Sequence, residues 1–143
     1  LGTPEMAMAS LIFAYVWLHI PFCFLMLFPF VRSVPPELYD ASKIDGCSVW
    51  QRFLHVTLPL ISPGIAIVLS LQTISALGTF GLVYGLTGGG PGGATDVLSY
   101  FIWENAFLSL DIGYACALTF ILAIVSIVIT IIYVKYLYRG VEF

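Results

Sequence analysis

Three long runs without a charged residue decide what this chain can fold into. The first lies between Glu5 and Arg32. The second begins near Val56 and fades into the glycines at Gly88 to Gly93, and the third lies between Asp111 and Lys135. Each supplies at least about 20 apolar positions, which at roughly 1.5 Å of rise per residue spans the hydrocarbon of a bilayer. Composition excludes the soluble alternative. The 143 residues are 60% hydrophobic and 9% charged, against roughly 25% charged in a soluble domain. A chain this short could not hide so much apolar surface from water. In lipid each segment must satisfy its own backbone polar groups, so the runs are expected to be helices over about 8–31, 59–85 and 112–136. The fold class that follows is an all-α membrane protein, with Pro21 and Pro29 bending its first span.

The net charge of −3 gives no footing for nucleic acid. Cys23, Cys47 and Cys116 lie too far apart for a metal site or a disulfide framework and read as small apolar side chains. The chain opens on Leu1 with no basic stretch ahead of its first apolar run, so it reads as part of a longer protein.

The basic residues set the topology. Arg32, Lys43 and Arg52 lie between the first two spans, and Lys135 and Arg139 follow the third, so three crossings put all of them on one side. The positive-inside rule makes that side cytoplasmic. The segment at about 86–111 carries Asp96, Glu104 and Asp111 but no Lys or Arg, and falls outside together with Leu1.

Between the first two spans lies a polar island at about 35–58, containing "ELYDASKIDGCSVWQRFLHVT". Pro36 suits the first turn of a helix running to Ile44. Gly46 suits its C-terminal cap, and Ser48 suits the N-cap of a second short helix, Val49 to His55. On physics alone two readings stay open: an amphipathic loop lying on the membrane, or a docking segment for a soluble partner.

Spacing adds a resemblance. Asp40-Ala41-Ser42, three residues, Gly46, nine residues, then Val56-Thr57-Leu58-Pro59 resembles the EAA motif of the permeases of ABC importers, and Asp45-Gly46 resembles its sugar-importer branch. "WLHIPF" (Trp17 to Phe22), "LTGGGP" (Leu86 to Pro91), "NAF" (Asn105 to Phe107) and "GYACA" (Gly113 to Ala117) resemble further signatures of maltose-type permeases. The resemblance implies a fragment of a type I importer permease whose island is a coupling segment seated in a cleft of a cytoplasmic ATPase. Asp40, Ala41, Ser42, Asp45, Gly46, Leu58 and Pro59 would carry the coupling, with Asp40 and Ser42 as the polar groups at the cleft. The family usually has a small Ala-Gly pair near the end of the first span. This chain has Pro29-Phe30 there, which disfavours close helix packing at that point.

A translocation pathway needs polar groups on the inner face of a bundle. Gln72, Ser75, Ala76 and Thr79 fall at i, i+3, i+4 and i+7, one stripe of a helix, with Thr73 beside it. Helix packing through small polar residues explains the same stripe. His19, inside the first apolar run, needs a partner. The resemblance implies that this stripe, together with Leu18, His19 and Phe22, faces a sugar. "GLTGGGPGG" (Gly85 to Gly93) lacks the G-K-[ST] of a phosphate loop and reads as a flexible outer loop, while Gly81 and Gly85 have the spacing of a close helix contact.

The function implied is a membrane-spanning subunit of a carbohydrate importer, without cofactor or catalytic site of its own. Its partners would be a second permease, two ATPase subunits holding ATP and Mg, an extracytoplasmic solute-binding protein, the sugar itself and membrane lipid, in a prokaryotic cell membrane. The alternatives are a permease for glycerol phosphate or another polyol derivative, and a structural subunit of a membrane complex. An intramembrane enzyme is disfavoured, because the spans carry no acidic pair, no readable Ser–His arrangement and no metal ligands.

Overall fold

The computed structural model describes residues 2–137, and no β-strand occurs among them. Arg139, assigned above to the cytoplasmic side with the C-terminus, lies outside the described residues. The order is α1 (Pro4–Arg32), α2 (Pro36–Ile44), α3 (Val49–Arg52), a π-helical turn (Phe53–Thr57), α4 (Leu58–Leu77), α5 (Phe80–Leu86), α6 (Leu98–Trp103), a second π-helical turn (Glu104–Leu108) and α7 (Ile112–Leu137). Among the described residues three stretches are long and apolar enough to cross a membrane: Pro4–Arg32, Val49–Leu77 and Ile112–Tyr136. The all-α, three-span expectation therefore stands. Pro21 and Pro29 both lie inside the continuous α1.

The second span departs from expectation at both ends. No separate helix stops at His55. Helix runs on from Val49 through the π turn into α4. The wider turn ends two residues before Pro59, whose missing N–H and ring would disturb an ordinary i→i−4 ladder. At the other end α4 stops at Leu77, and Gly78 and Thr79 interrupt the span before α5. The Thr79 N–H bonds back to Ala76 O and the Phe80 N–H to Gly78 O, tighter closures than α-helix allows.

The chain divides into two compact units, residues 1–20 with 72–129 and residues 21–71 with 130–143. In the second unit Thr57, Ile61, Gly64 and Val68 form one buried stripe at helical spacing. The Phe30 ring occupies the space a side chain at Gly64 would need. Pro29-Phe30 thus does not prevent close packing, because Gly64 supplies the small residue on the opposite helix.

In the first unit a core forms around Leu11, Val83 and Tyr100, flanked by Phe80, Leu82, Val97 and Trp103. This corrects the flexible outer loop. Thr95 is fully buried, with its Oγ1 2.8 Å from both Thr87 Oγ1 and Gly90 O. The Tyr100 hydroxyl donates to Gly88 O at 3.1 Å. Burial, then the charges of Glu104 and Asp96, pushes the Tyr100 phenol up, which keeps the donated proton in place. Gly89 has φ +79° and lies against the Tyr100 ring, so a side chain fits there neither in conformation nor in space. Gly81 and Gly85 have open space beside them among the described residues, so their spacing serves no close contact.

Candidate functional site

Two polar gatherings among the described residues hold the side chains singled out in the sequence. The first lies in the unit formed by residues 1–20 and 72–129. His19 Nδ1 is 2.8 Å from Tyr15 O, one helical turn back. A carbonyl oxygen only accepts, so Nδ1–H donates, and in the neutral tautomer Nε2 is left as an acceptor. Ser75 Oγ lies 3.3 Å from that nitrogen and donates to it. The Tyr15 and His19 rings stack with centroids 3.9 Å apart. The Tyr15 hydroxyl reaches α4, 3.1 Å from Gln72 O and 3.4 Å from Gln72 Oε1. Hydroxyls, an amide and an imidazole here supply both donors and acceptors, and they bond to one another.

Tyr15 had no sequence signal of its own beyond its place one turn before His19. Of the predicted residues, the structure brings His19, Gln72 and Ser75 together. Leu18 lies on a different face of α1, where Phe13, Ala14, Trp17 and Leu18 line an apolar hollow of about 390 Å³. Ala76 and Phe22 are exposed. Thr79 is not the fourth member of a stripe, because the helix has ended. It precedes α5, and its hydroxyl donates to Ser75 O at 3.0 Å.

Tyr15→Phe keeps the ring stack and removes only the tether to Gln72, so it should lower the melting temperature in detergent by the worth of about one hydrogen bond, roughly 1 kcal/mol. An unchanged melting temperature would show that the tether does not hold α1 to α4 at this point.

The second place is the polar island. Gly46 has φ +73°, its N–H bonds to Lys43 O, and the Cys47 N–H bonds to Ser42 O at 3.0 Å. This pair of closures is a Schellman motif, and it ends α2 sharply. Ser48 and Gln51 then form a reciprocal capping box that starts α3. The island is held against the base of α4 by Tyr39 Oη, 3.0 Å from Thr57 Oγ1. Ser42 is turned inward and buried, donating to Tyr39 O at 2.8 Å, so it is not a polar group offered to a cleft. Asp40 is exposed and pairs with Lys43 at 2.7 Å. That hydrogen bond, with the ammonium charge, holds the Asp40 carboxyl below the usual carboxylate range. Ala41, Asp45 and Gly46 are exposed, and Ile44 (87%) and Trp50 (67%) stand out as large apolar groups in the open. Leu58 is half-buried and Pro59 exposed at the start of α4. No group of three metal-ligating side chains occurs among the described residues.

The profile of the family described as binding-protein-dependent transport system inner membrane component matches residues 1–142. The chain belongs to that family. Relatives within the transport systems include a trehalose/maltose transport system permease of Thermococcus litoralis, 40% identical over 94% of this chain and 45% of its own length. A sulfoquinovosyl glycerol transport system permease of Agrobacterium fabrum is 36% identical over 94% of this chain and 44% of its own length. An sn-glycerol-3-phosphate transport system permease of the same organism is 30% identical over 96% and 47%. The chain spans about half the length of these relatives. Membership and the three apolar helices make this a multi-pass membrane protein.

Proposed function

We propose that this chain is part of the membrane-spanning permease subunit of an ATP-driven importer for a carbohydrate. The observation that carries the reading is the helix–Gly–helix island, a sharply capped segment between two membrane-length helices in a chain of the binding-protein-dependent transport family. The island docks on a cytoplasmic ATPase through Asp40 to Gly46, with Ile44 and Trp50 as apolar anchors. ATP and Mg belong to that partner. A solute-binding protein delivers substrate to the side bearing α5 and α6, and a second permease completes the pathway. ATP binding favours one access state by its differential affinity for the two conformations.

Tyr15, His19, Gln72 and Ser75 line the part of the pathway this chain supplies. They offer hydrogen-bonding groups without a Lys or Arg, which favours an uncharged sugar over a phosphorylated polyol on this half. Among the relatives, the trehalose/maltose system is named for neutral sugars, while the sulfoquinovosyl glycerol and sn-glycerol-3-phosphate systems are named for hydroxyl-bearing anions.

The orientation is tested by labelling in a background without Cys23, Cys47 and Cys116. Ser109→Cys, exposed at the end of the second π turn, should react with an impermeant maleimide in intact cells. Ser48→Cys should react only after permeabilisation. The reverse pattern would place the island outside, away from any ATPase.

A further inference from the structure

Within the described residues the surroundings of Arg52 leave it unmatched. Its Nε is buried and has no hydrogen-bond partner. Among the described residues no carboxylate forms an ion pair with it, although Glu37, Asp40 and Asp45 all lie in the same short stretch. Lys43, by contrast, is paired with Asp40. Buried donors are rarely left unmatched, and a guanidinium matches a planar carboxylate through two parallel bonds.

Arg52 also lines a hollow. Tyr39, Val49, Arg52, Phe53 and Thr57 enclose about 260 Å³ between α2 and the helical stretch that leads into α4. Apolar walls come from Val49 and Phe53, and Tyr39 and Thr57 add hydroxyls that already bond each other. The Nε–H is shut off from water in the free chain, so part of the desolvation that normally opposes a buried ion pair is already incurred before a partner arrives. Arg52 itself lines the hollow, so its guanidinium is within reach of a group seated there. The surface beside it is apolar, with Val49 and Trp50 largely exposed. Glu37 and Asp45, exposed in the same stretch, disfavour approach of the island to an anionic lipid surface.

We propose that this hollow receives a single Asp or Glu side chain from the ATPase subunit, clamped by Arg52. The proposal rests on the docking reading of the island. It adds to that reading a specific charge pair and a polarity, with the acid on the soluble partner and the base on the permease.

The experiment uses the complete permease pair in nanodiscs, titrated with its purified ATPase subunit. Arg52→Gln should weaken docking at least about thirtyfold, since truncating one partner of a buried charge pair is among the costliest interface changes. Arg52→Lys should restore part of the affinity. It also adds an amine, so a zero-length carbodiimide should join Lys to one Asp or Glu of the ATPase, identifiable by mass spectrometry. Unchanged docking in Arg52→Gln, or no such cross-link in Arg52→Lys, would overturn the proposal. So would a defect seen only in phosphatidylglycerol discs and not in phosphatidylcholine discs, which assigns the hollow to a lipid phosphate. Gly46→Asp, titrated in parallel, separates the levels. If it weakens docking while Arg52→Gln does not, the clamp falls and the docking reading stands. If neither weakens docking, both fall.

Discussion

Replacing Gly46 with aspartate is expected to stop uptake while the subunit remains in the membrane at its normal level. Gly46 has φ +73°, and a Cβ built there meets nothing within 4 Å. The cost inside the chain is therefore conformational, roughly 1–2 kcal/mol for an L-residue in the left-handed region. That is too little to unfold a helix bundle. The larger effect comes from outside the chain, because the residue is exposed at the tip of a turn flanked by exposed Asp45 and Ile44. A further carboxylate there places an unpaired charge at the centre of the proposed docking surface. Asparagine tolerates the left-handed conformation and carries no charge, so Gly46→Asn should keep most of the activity. The measurement is substrate-stimulated ATP hydrolysis in the reconstituted complex, with subunit stoichiometry determined alongside. Equal loss in the Asn and Asp variants would point to the turn's geometry rather than to docking. Normal rates in both would remove the island from coupling.

The second large effect is expected at Gly64. A Cβ there would overlap the Phe30 ring, and Gly64 is buried on the stripe with Ile61 and Val68. Overpacking a filled contact typically costs about 1–3 kcal/mol, and more when the neighbour is a rigid ring with nowhere to turn. Gly64→Leu should sharply lower the amount of subunit recovered from the membrane and its melting temperature in detergent. Phe30→Ala removes the ring, and the double variant should regain much of the loss. A Gly64→Leu subunit as abundant and heat-stable as the parent would show that the contact does not hold α1 to α4. No recovery in the double variant would mean that another neighbour sets the limit.

Local signals were legible in the sequence and long-range ones were not. Pro36, Gly46 and Ser48 act on their own few residues of backbone, so α2, its left-handed cap and the start of α3 could be read directly. The three spans were legible because lipid imposes one rule on every backbone group. By contrast, the order of the outer segment arises from burial of Thr95 and Tyr100 by residues distant in sequence, so glycine-rich composition suggested a flexible loop. Phe30 and Gly64 were each visible, but their complementarity exists only where two helices meet. Ser42 looked like an offered hydroxyl until its bond to Tyr39 O turned it inward. The stripe through Gln72 and Ser75 kept perfect helical spacing as far as Thr79, yet Gly78 ends the helix one residue earlier. Tyr15 carries no local signal, because its use depends on Gln72, 57 residues away in sequence.

The most direct measurement is uptake by proteoliposomes holding the complete transporter, with binding protein and radiolabelled maltose, trehalose or sn-glycerol 3-phosphate outside and either ATP or ADP trapped within. Accumulation of a neutral disaccharide with lumenal ATP, none with ADP, and none in the Gly46→Asp complex is the expected result. Accumulation at the same rate with ADP as with ATP would contradict ATP-driven import through this permease.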